Sequence, residues 1–244
     1  VVERADRAPV STFHAPGAWT AVVELDEAAA HHALVKRLQE GDPVRLTSGD
    51  GRRTWGRLVT VAKQRVVVEI DVSCVVHEPA PPAITLLAPV GDRERMLLLA
   101  EKSVELALSS WRPVVYRRSR SVTPRGEGEP FRQKVRLRMI SALEQSGGAW
   151  LPELHPDTSV NGAIDAGANA TRLLLDANAP SLAVHLASVS APCVVALGPE
   201  GGLEPEERAA FIAAGWRAVS IGANVLRFET AGIAVLALLR IHLN

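Results

Sequence analysis

From residue 83 onward the chain alternates short apolar runs with amphipathic stretches, and this alternation limits its fold more than any other feature. The runs "AITLLAPV" (83–90), "RPVVYR" (112–117), "RLLLD" (172–176), "PCVVALG" (192–198) and "RAVSIG" (217–222) have strand length, and helical patterns over 93–108 and 130–145 fall between them. Pro205, Glu206 and Glu207 open a further helix that stops at Gly215, since Pro suits the first helical position and acidic side chains favour the N-terminal end. A last helix follows "RAVSIG". Strand, loop and helix in repetition predict an α/β domain built on a parallel sheet. Ligands of such sheets sit at the carboxyl ends of the strands, where the loops 198–204 and 222–229 fall.

The first third follows another rhythm. The short β-rich runs "TAVVEL" (20–25), "DPVRLT" (42–47), "RTWGRLVTV" (53–61) and "RVVVEID" (65–71) are separated by Gly, Asp and Lys turns and predict a small barrel. One helix, "DEAAAHHALVKRL" (26–38), interrupts them and has Asp26 as its expected cap. The three prolines of "HEPAPP" (77–82) break every regular pattern and mark a linker. The reading is a first domain over 1–76, with 1–10 as an N-terminal extension, and a second domain over 83–244.

Composition removes several functional classes. Apolar stretches stop well short of a membrane span, and "VVERADRAPV" carries charges where a signal peptide needs an apolar region, so the expectation is a cytoplasmic protein without a membrane partner. Cys74 and Cys193 lie far apart and are expected to be buried, reduced thiols. The seven histidines form no recognisable ligand spacing, and no metal is expected. The 27 basic and 27 acidic residues cancel overall, yet Arg112, Arg117, Arg118, Arg120, Arg125, Arg132, Lys134, Arg136 and Arg138 face only Glu127 and Glu129 within one stretch. Such a local excess is the footprint of a polyanion site or, equally, of a solvated helix face.

The loop "GPEGGLEPEE" (198–207) raises the question of its ligand. Its glycines fit neither a phosphate loop nor a dinucleotide fingerprint, and the Glu200 carboxylate would repel a phosphate but tolerate a neutral or cationic molecule. An ordinary tight turn is the competing reading. The final helix, "TAGIAVLALLRIHL", is apolar nearly all round and must be covered either by its own domain or by a second copy of the chain.

Together "LGPEGGLEPEE" (197–207) and "SIGANVLRFETAG" (220–232) resemble the two strongest motifs of the ribosomal RNA small-subunit methyltransferase E family, uridine N3-methyltransferases of the SPOUT superfamily. "TFHAP" (12–16), "HHALVKRLQEGD" (31–42), "RMLLLAEKSVELA" (95–107) and "ALEQSGG" (142–148) resemble its weaker landmarks, in order. The resemblance implies a PUA-like N-terminal barrel, a trefoil-knotted methyltransferase domain, S-adenosyl-L-methionine as cofactor, and a homodimer acting on 16S ribosomal RNA or the 30S subunit. The chain departs from the family where Ser11 replaces an Arg, Ala107 a Gly, Arg117-Arg118-Ser119 a Glu-Arg-Ser, and Ser146-Gly147-Gly148 a Cys-Gly-Arg.

That resemblance assigns cofactor contacts to Leu175, Leu197, Gly198, Pro199, Glu200, Gly201, Gly202, Ile221, Gly222, Val225, Leu226 and Thr230. Loss of the uridine N3 proton needs a base, or a cation beside the developing charge. Arg227 is the candidate cation and Glu229 the candidate for positioning or proton acceptance. An internal ion pair capping the last helix is the alternative for both. Lys36, Arg37, Arg118, Arg120, Arg132 and Arg136 are candidate RNA contacts, with surface solubility as the alternative. Competing functions are ribose 2′-O-methylation, disfavoured because "LRFETA" stands where a Ser/Asn-rich motif is expected, and a non-catalytic RNA-binding assembly factor.

Overall fold

The computed structural model describes residues 11–121 and 124–244, the side chains of Arg120 and Ser121 excepted. The expected extension over 1–10 lies outside the described residues. Contacts divide the chain into two compact units, Val1–Ala80 with Leu143–Trp150, and Pro81–Ala142 with Leu151–Asn244. The boundary falls inside the expected linker. Residues Leu143–Trp150, read from the sequence as part of the second domain, belong to the first unit.

The first unit contains β1 (Thr12–His14), β2 (Val22–Leu25), α1 (Glu27–Val35), β3 (Pro43–Thr47), β4 (Arg52–Ala62), β5 (Arg65–Ile70) and β6 (Val76–His77). Asp26 caps α1 as expected, its carboxylate accepting the Ala29 N–H at 2.9 Å. The sheet runs in the order β1-β3-β4-β5-β2, with β6 beside β4. Among the described residues no pairing of β1 with β2 closes it, so hydrogen bonds do not complete the expected barrel. One face buries Val44, Leu46, Leu58, Val66 and Val68 against Phe13 and the alanines of α1. Strand alternation turns Arg53, Trp55 and Arg57 to the other face. Cys74 is exposed, contrary to expectation, because it sits in a single 3-10 turn beside Asp71.

The second unit is the expected parallel α/β domain. It comprises β7 (Ile84–Pro89), α2 (Arg93–Glu105), β8 (Ser110–Val115), α3 (Gly128–Ser146), β9 (Glu153–Leu154), β10 (Thr158–Ser159), α4 (Val160–Ile164), β11 (Thr171–Leu175), α5 (Leu182–His185), β12 (Cys193–Ala196), α6 (Pro205–Ala213), β13 (Arg217–Val219) and α7 (Phe228–Leu243), with the last residues of α3 lying in the first unit. The order is β10-β8-β7-β12-β11-β13, every pairing is parallel, and β9 lies beside β8. Strand β12 therefore lies between β7 and β11, although both precede it in sequence. Cys193, on this central strand, is buried, and burial pushes its thiol pKa up to about 12.

The last helix is covered on one side only. Gly232, Val235, Leu236 and Leu239 are buried, whereas Leu238 and Ile241 are exposed. Arg240, which interrupts the apolar pattern in the sequence, is itself buried, and its guanidinium donates to the carbonyls of Pro82, Leu106 and Ala107. Those acceptors offset its desolvation. Helix α2 ends at Glu105, earlier than expected, because Ala107 takes a φ of 55°. A left-handed backbone costs a non-glycine residue about 1–2 kcal/mol, which gives the Gly-to-Ala departure at this position a physical meaning. Among the described residues no helix is long and apolar enough to cross a membrane.

Candidate active site

Three loops leave neighbouring parallel strands at their carboxyl ends: 176–181 after β11, 197–204 after β12 and 220–227 after β13. Together they enclose a cavity of about 720 Å³. Backbone bonds hold two of them to each other, with Asp176 N donating to Val219 O at 3.0 Å and Leu182 N to Ser220 O at 2.7 Å. The cavity is of the size that takes a small organic ligand. Among the described residues no group of three His, Cys, Asp or Glu side chains gathers as metal ligands do.

Ten of the twelve expected cofactor residues line this cavity: Leu175, Leu197, Gly198, Pro199, Glu200, Gly202, Ile221, Gly222, Val225 and Leu226. Arg227 lines it too. Gly201, Thr230 and Glu229 do not. The first loop makes a tight turn closed by Gly202 N to Pro199 O at 2.8 Å, and Gly202 has φ 74°, a conformation other residues take only under strain. Gly201 packs closely against Arg118. A methyl group built on it would lie 3.2 Å from Cβ and Cδ of Arg118, so the absent side chain makes room for an arginine.

Arg118 accordingly belongs to the loop. Its Nη1 donates to Gly201 O and its Nε to Glu204 Oε1 at 3.0 Å, which fastens the turn to the start of α6. The adjacent Arg117 donates its backbone N–H to Glu207 at 2.8 Å, and Glu207 also accepts the Glu204 N–H. An expected phosphate contact thus has a structural task already. Arg125, Arg132 and Arg138 also face carboxylates, of Glu127, Glu129 and Glu101 respectively. Arg132 and Arg136 do lie on one helix, as their spacing predicts. Arg136 is exposed and has no carboxylate partner among the described residues. Lys36 and Arg37 are exposed at the end of α1, whereas the side chain of Arg120 is outside the described residues.

The two candidate catalytic residues part company. Arg227 is exposed on the cavity wall as the cap residue of α7, and among the described residues no ion pair holds it. Glu229 is buried, its Oε2 lacks a hydrogen-bond partner, and its Oε1 lies 3.9 Å from Nε of Arg95. Arg95 projects from the first turn of α2 and also pairs with Glu200 through Nη1. One guanidinium therefore joins a carboxylate from each of the two loop motifs. Glu200 meets this arginine, so the loop carboxylate need not face the ligand.

Sequence reasoning missed Arg95, Asp176, Asn178, Arg208, Asn224 and Phe228, all on the cavity wall. Asp176 was within reach, since it ends "RLLLD" at the carboxyl end of a strand. Burial pushes its carboxyl pKa up, but the hydrogen bond from Arg208 at 2.6 Å, the Asn178 N–H at 2.9 Å and the Arg208 charge together hold it below the usual carboxylate range. Arg95 opens the landmark 95–107, but nothing local ties it to the cavity, because its partners Glu200 and Glu229 are more than a hundred residues away.

A family model described as an RNA methyltransferase domain matches residues 78–240. The chain belongs to this RNA methyltransferase family. Within the family it is similar to curated proteins named ribosomal RNA small subunit methyltransferase E. The one from Synechocystis sp. is 28% identical over 224 residues, which is 89% of this chain and 72% of that protein. The one from Mycobacterium bovis is 29% identical over 241 residues, 93% of this chain and 88% of that protein. A crystal structure of the enzyme of that name from Neisseria gonorrhoeae, bound to S-adenosyl methionine, superposes with a TM-score of 0.85 at 28% identity and covers 96% of this chain and 98% of that one.

Proposed function

We propose that this RNA methyltransferase carries a methyl group from S-adenosyl-L-methionine to N3 of a uridine in small-subunit ribosomal RNA, acting as a cytoplasmic homodimer. The observation that carries the reading is the single cavity wall formed by both loop motifs with Arg227 exposed on it. The lining fits the cofactor chemically. Leu175, Leu197, Val219, Ile221, Leu226 and Phe228 offer apolar surface to a base, Asp176 and Asn178 offer polar groups for hydroxyls, and loop backbone completes the set. Arg208 and Arg95 are already matched with Asp176 and Glu200, so the cavity does not select for phosphate. When bound, the cofactor supplies an activated methyl group on a sulfonium that departs neutral, and no metal is needed.

The chain's own residues then have separable tasks. The loops align the acceptor with the donor in a site shielded from water, which is the main contribution to a transfer of this kind. N3 gives up its proton to bulk water, and Arg227 stabilises the negative charge left on the uracil while the methyl passes from sulfur to N3. Glu229, behind the wall, holds Arg95 and hence the seat of the first loop; it does not meet the substrate. The exposed Leu238 and Ile241 of α7, with Val225 on the cavity loop, support an apolar contact with a second copy. By the same reading the first unit is PUA-like, the second is a SPOUT trefoil knot, and α3 with Arg132 and Arg136 meets RNA phosphates.

The test is incubation with methyl-labelled cofactor and small ribosomal subunits, followed by nucleoside mass spectrometry. A methyl on the released uracil base is expected. Arg227→Ala should keep cofactor and RNA binding and lose about a hundredfold or more in turnover, the scale of one transition-state donor. A methyl on ribose would replace N3 by 2′-O chemistry, and no methyl on any ribosomal RNA would overturn the reading.

A further inference from the structure

Methyl transfer does not by itself require the ribose of the cofactor to be recognised, yet one group on the cavity wall is built to meet it. Among the described residues two carboxylates line the cavity, Asp176 and Glu200. They differ in freedom. Glu200 is exposed and ends a longer side chain. Asp176 follows directly on the last residue of β11, at the carboxyl end of the strand, and its side chain is only 13% exposed. Its backbone is fixed on both sides, the N–H donating to Val219 O at 3.0 Å and the C=O accepting from Ala179 N at 3.1 Å.

The carboxylate is fixed as well, but not saturated. Oδ2 accepts from Arg208 Nε at 2.6 Å, and Oδ1 accepts from the Asn178 N–H at 2.9 Å. An ionised carboxylate has roughly four acceptor sites, so each oxygen keeps capacity for a further donor. The ligand group that fills this capacity has to be neutral. A cation, such as the cofactor's ammonium or sulfonium, would be set beside the Arg208 guanidinium and repelled by it. The edge of adenine pairs a donor, its amino group, with an acceptor, its ring nitrogen, and that acceptor would face a carboxylate oxygen. Adjacent ribose hydroxyls are neutral and supply two donors side by side, one for each oxygen. An acidic side chain meets a ribose hydroxyl by the same chemistry in dinucleotide-binding sheets.

We propose that Asp176 is the specificity-determining residue for the cofactor's ribose, its two carboxylate oxygens accepting from the 2′- and 3′-hydroxyls, and that Arg208 is the positioning residue that holds the carboxylate in this orientation. The inference rests on the reading of the cavity as the S-adenosyl-L-methionine site. The cavity thereby selects an adenosyl ligand with both hydroxyls over a deoxyadenosyl one.

The full chain is titrated calorimetrically with S-adenosyl-L-homocysteine, the demethylated cofactor, and with its 2′-deoxy and 3′-deoxy forms. The parent should bind each deoxy form about ten- to a hundredfold more weakly, the range for one hydrogen bond to a charged group. Asp176→Ala should weaken binding of the ribose form by a similar factor and bind all three forms nearly alike. A change of sugar pucker in the deoxy forms is common to both chains and cancels in this comparison. Asp176→Asn, which keeps the shape, should narrow the preference and decides the matter where Asp176→Ala does not fold. Arg208→Ala should narrow it too while leaving affinity for the deoxy forms in place, an effect that a general loss of packing would not give. A parent that binds the deoxy forms as tightly as the ribose form overturns the proposal, as does a preference of equal size in Asp176→Ala. Equal losses for all three forms in Arg208→Ala overturn the role given to Arg208. A parent that binds none of the three and no S-adenosyl-L-methionine refutes the reading of the cavity itself, whereas one that binds and methylates without a ribose preference refutes the role of Asp176 alone.

Discussion

Replacing Arg95 by alanine tests whether one side chain ties the two cavity loops together. Glu229 is almost fully buried and lies 3.9 Å from Nε of Arg95, whose side chain is 30% exposed. Unit charges at that distance interact by about 4 kcal/mol at the effective dielectric constant of about 20 that suits protein sites. Partial solvation of Arg95 reduces this to roughly 2 kcal/mol, and the N-terminal end of α7 continues to favour the Glu229 carboxylate by about 0.3–1 kcal/mol. Arg95→Ala should therefore cost about 2 kcal/mol, or roughly 4–8 °C in Tm for a domain of this size. The pair with Glu200 is about a third exposed on both sides and contributes at most about 1 kcal/mol. Scanning calorimetry on Arg95→Ala, Glu229→Gln and the double variant separates the terms. The double variant should be more stable than the sum of the single losses predicts, by 1 kcal/mol or more. Additivity within about 0.5 kcal/mol, the usual result for independent sites, would refute the bridge.

Gly201→Val should displace Arg118, because a Cβ there lies 3.2 Å from that side chain, and calorimetric titration should show cofactor affinity lost although Gly201 is not on the cavity wall. Unchanged affinity would separate the Arg118 anchor from the loop's shape. The Asp176 carboxyl, held below its usual range mainly by Arg208 against the push of burial, contributes stability above the unfolded value of about 3.9 that is lost as pH falls through the lower folded value. Arg208→Ala should accordingly move the onset of acid unfolding to higher pH, read by circular dichroism, and an unmoved onset would show that the pair is energetically idle. Arg136→Gln should lower the slope of log affinity for ribosomal RNA against log salt by about 0.7–0.9, the loss of one phosphate contact, while Arg132→Gln should do less because Glu129 already neutralises that side chain.

The strands and helices that build the site were legible because their signals are local. Period-two and helical apolar patterns, Asp26 as a cap, and Pro205 at a helix start all act within a few residues, and the structure places β4, β12, α1 and α6 close to the expected spans. The two cavity loops were legible for the same reason, since strand ends and glycine turns mark them, and ten of the twelve expected cofactor residues meet at one wall. Pairing across the chain left no such trace. Nothing local announces that residues 143–150 return to the first unit, that Arg118 occupies the space left by Gly201, or that Arg240 is buried against three carbonyls. The same holds for charge. In sequence the basic run at 112–138 reads equally as a polyanion site or a solvated helix face, and the fold brings Glu101 and Glu204 from distant elements to Arg138 and Arg118. Sequence alone determined the elements and the turns, whose energies depend on neighbours along the chain; tertiary structure decided which charges remain available to a ligand, because Coulomb and hydrogen-bond energies depend on distance in space.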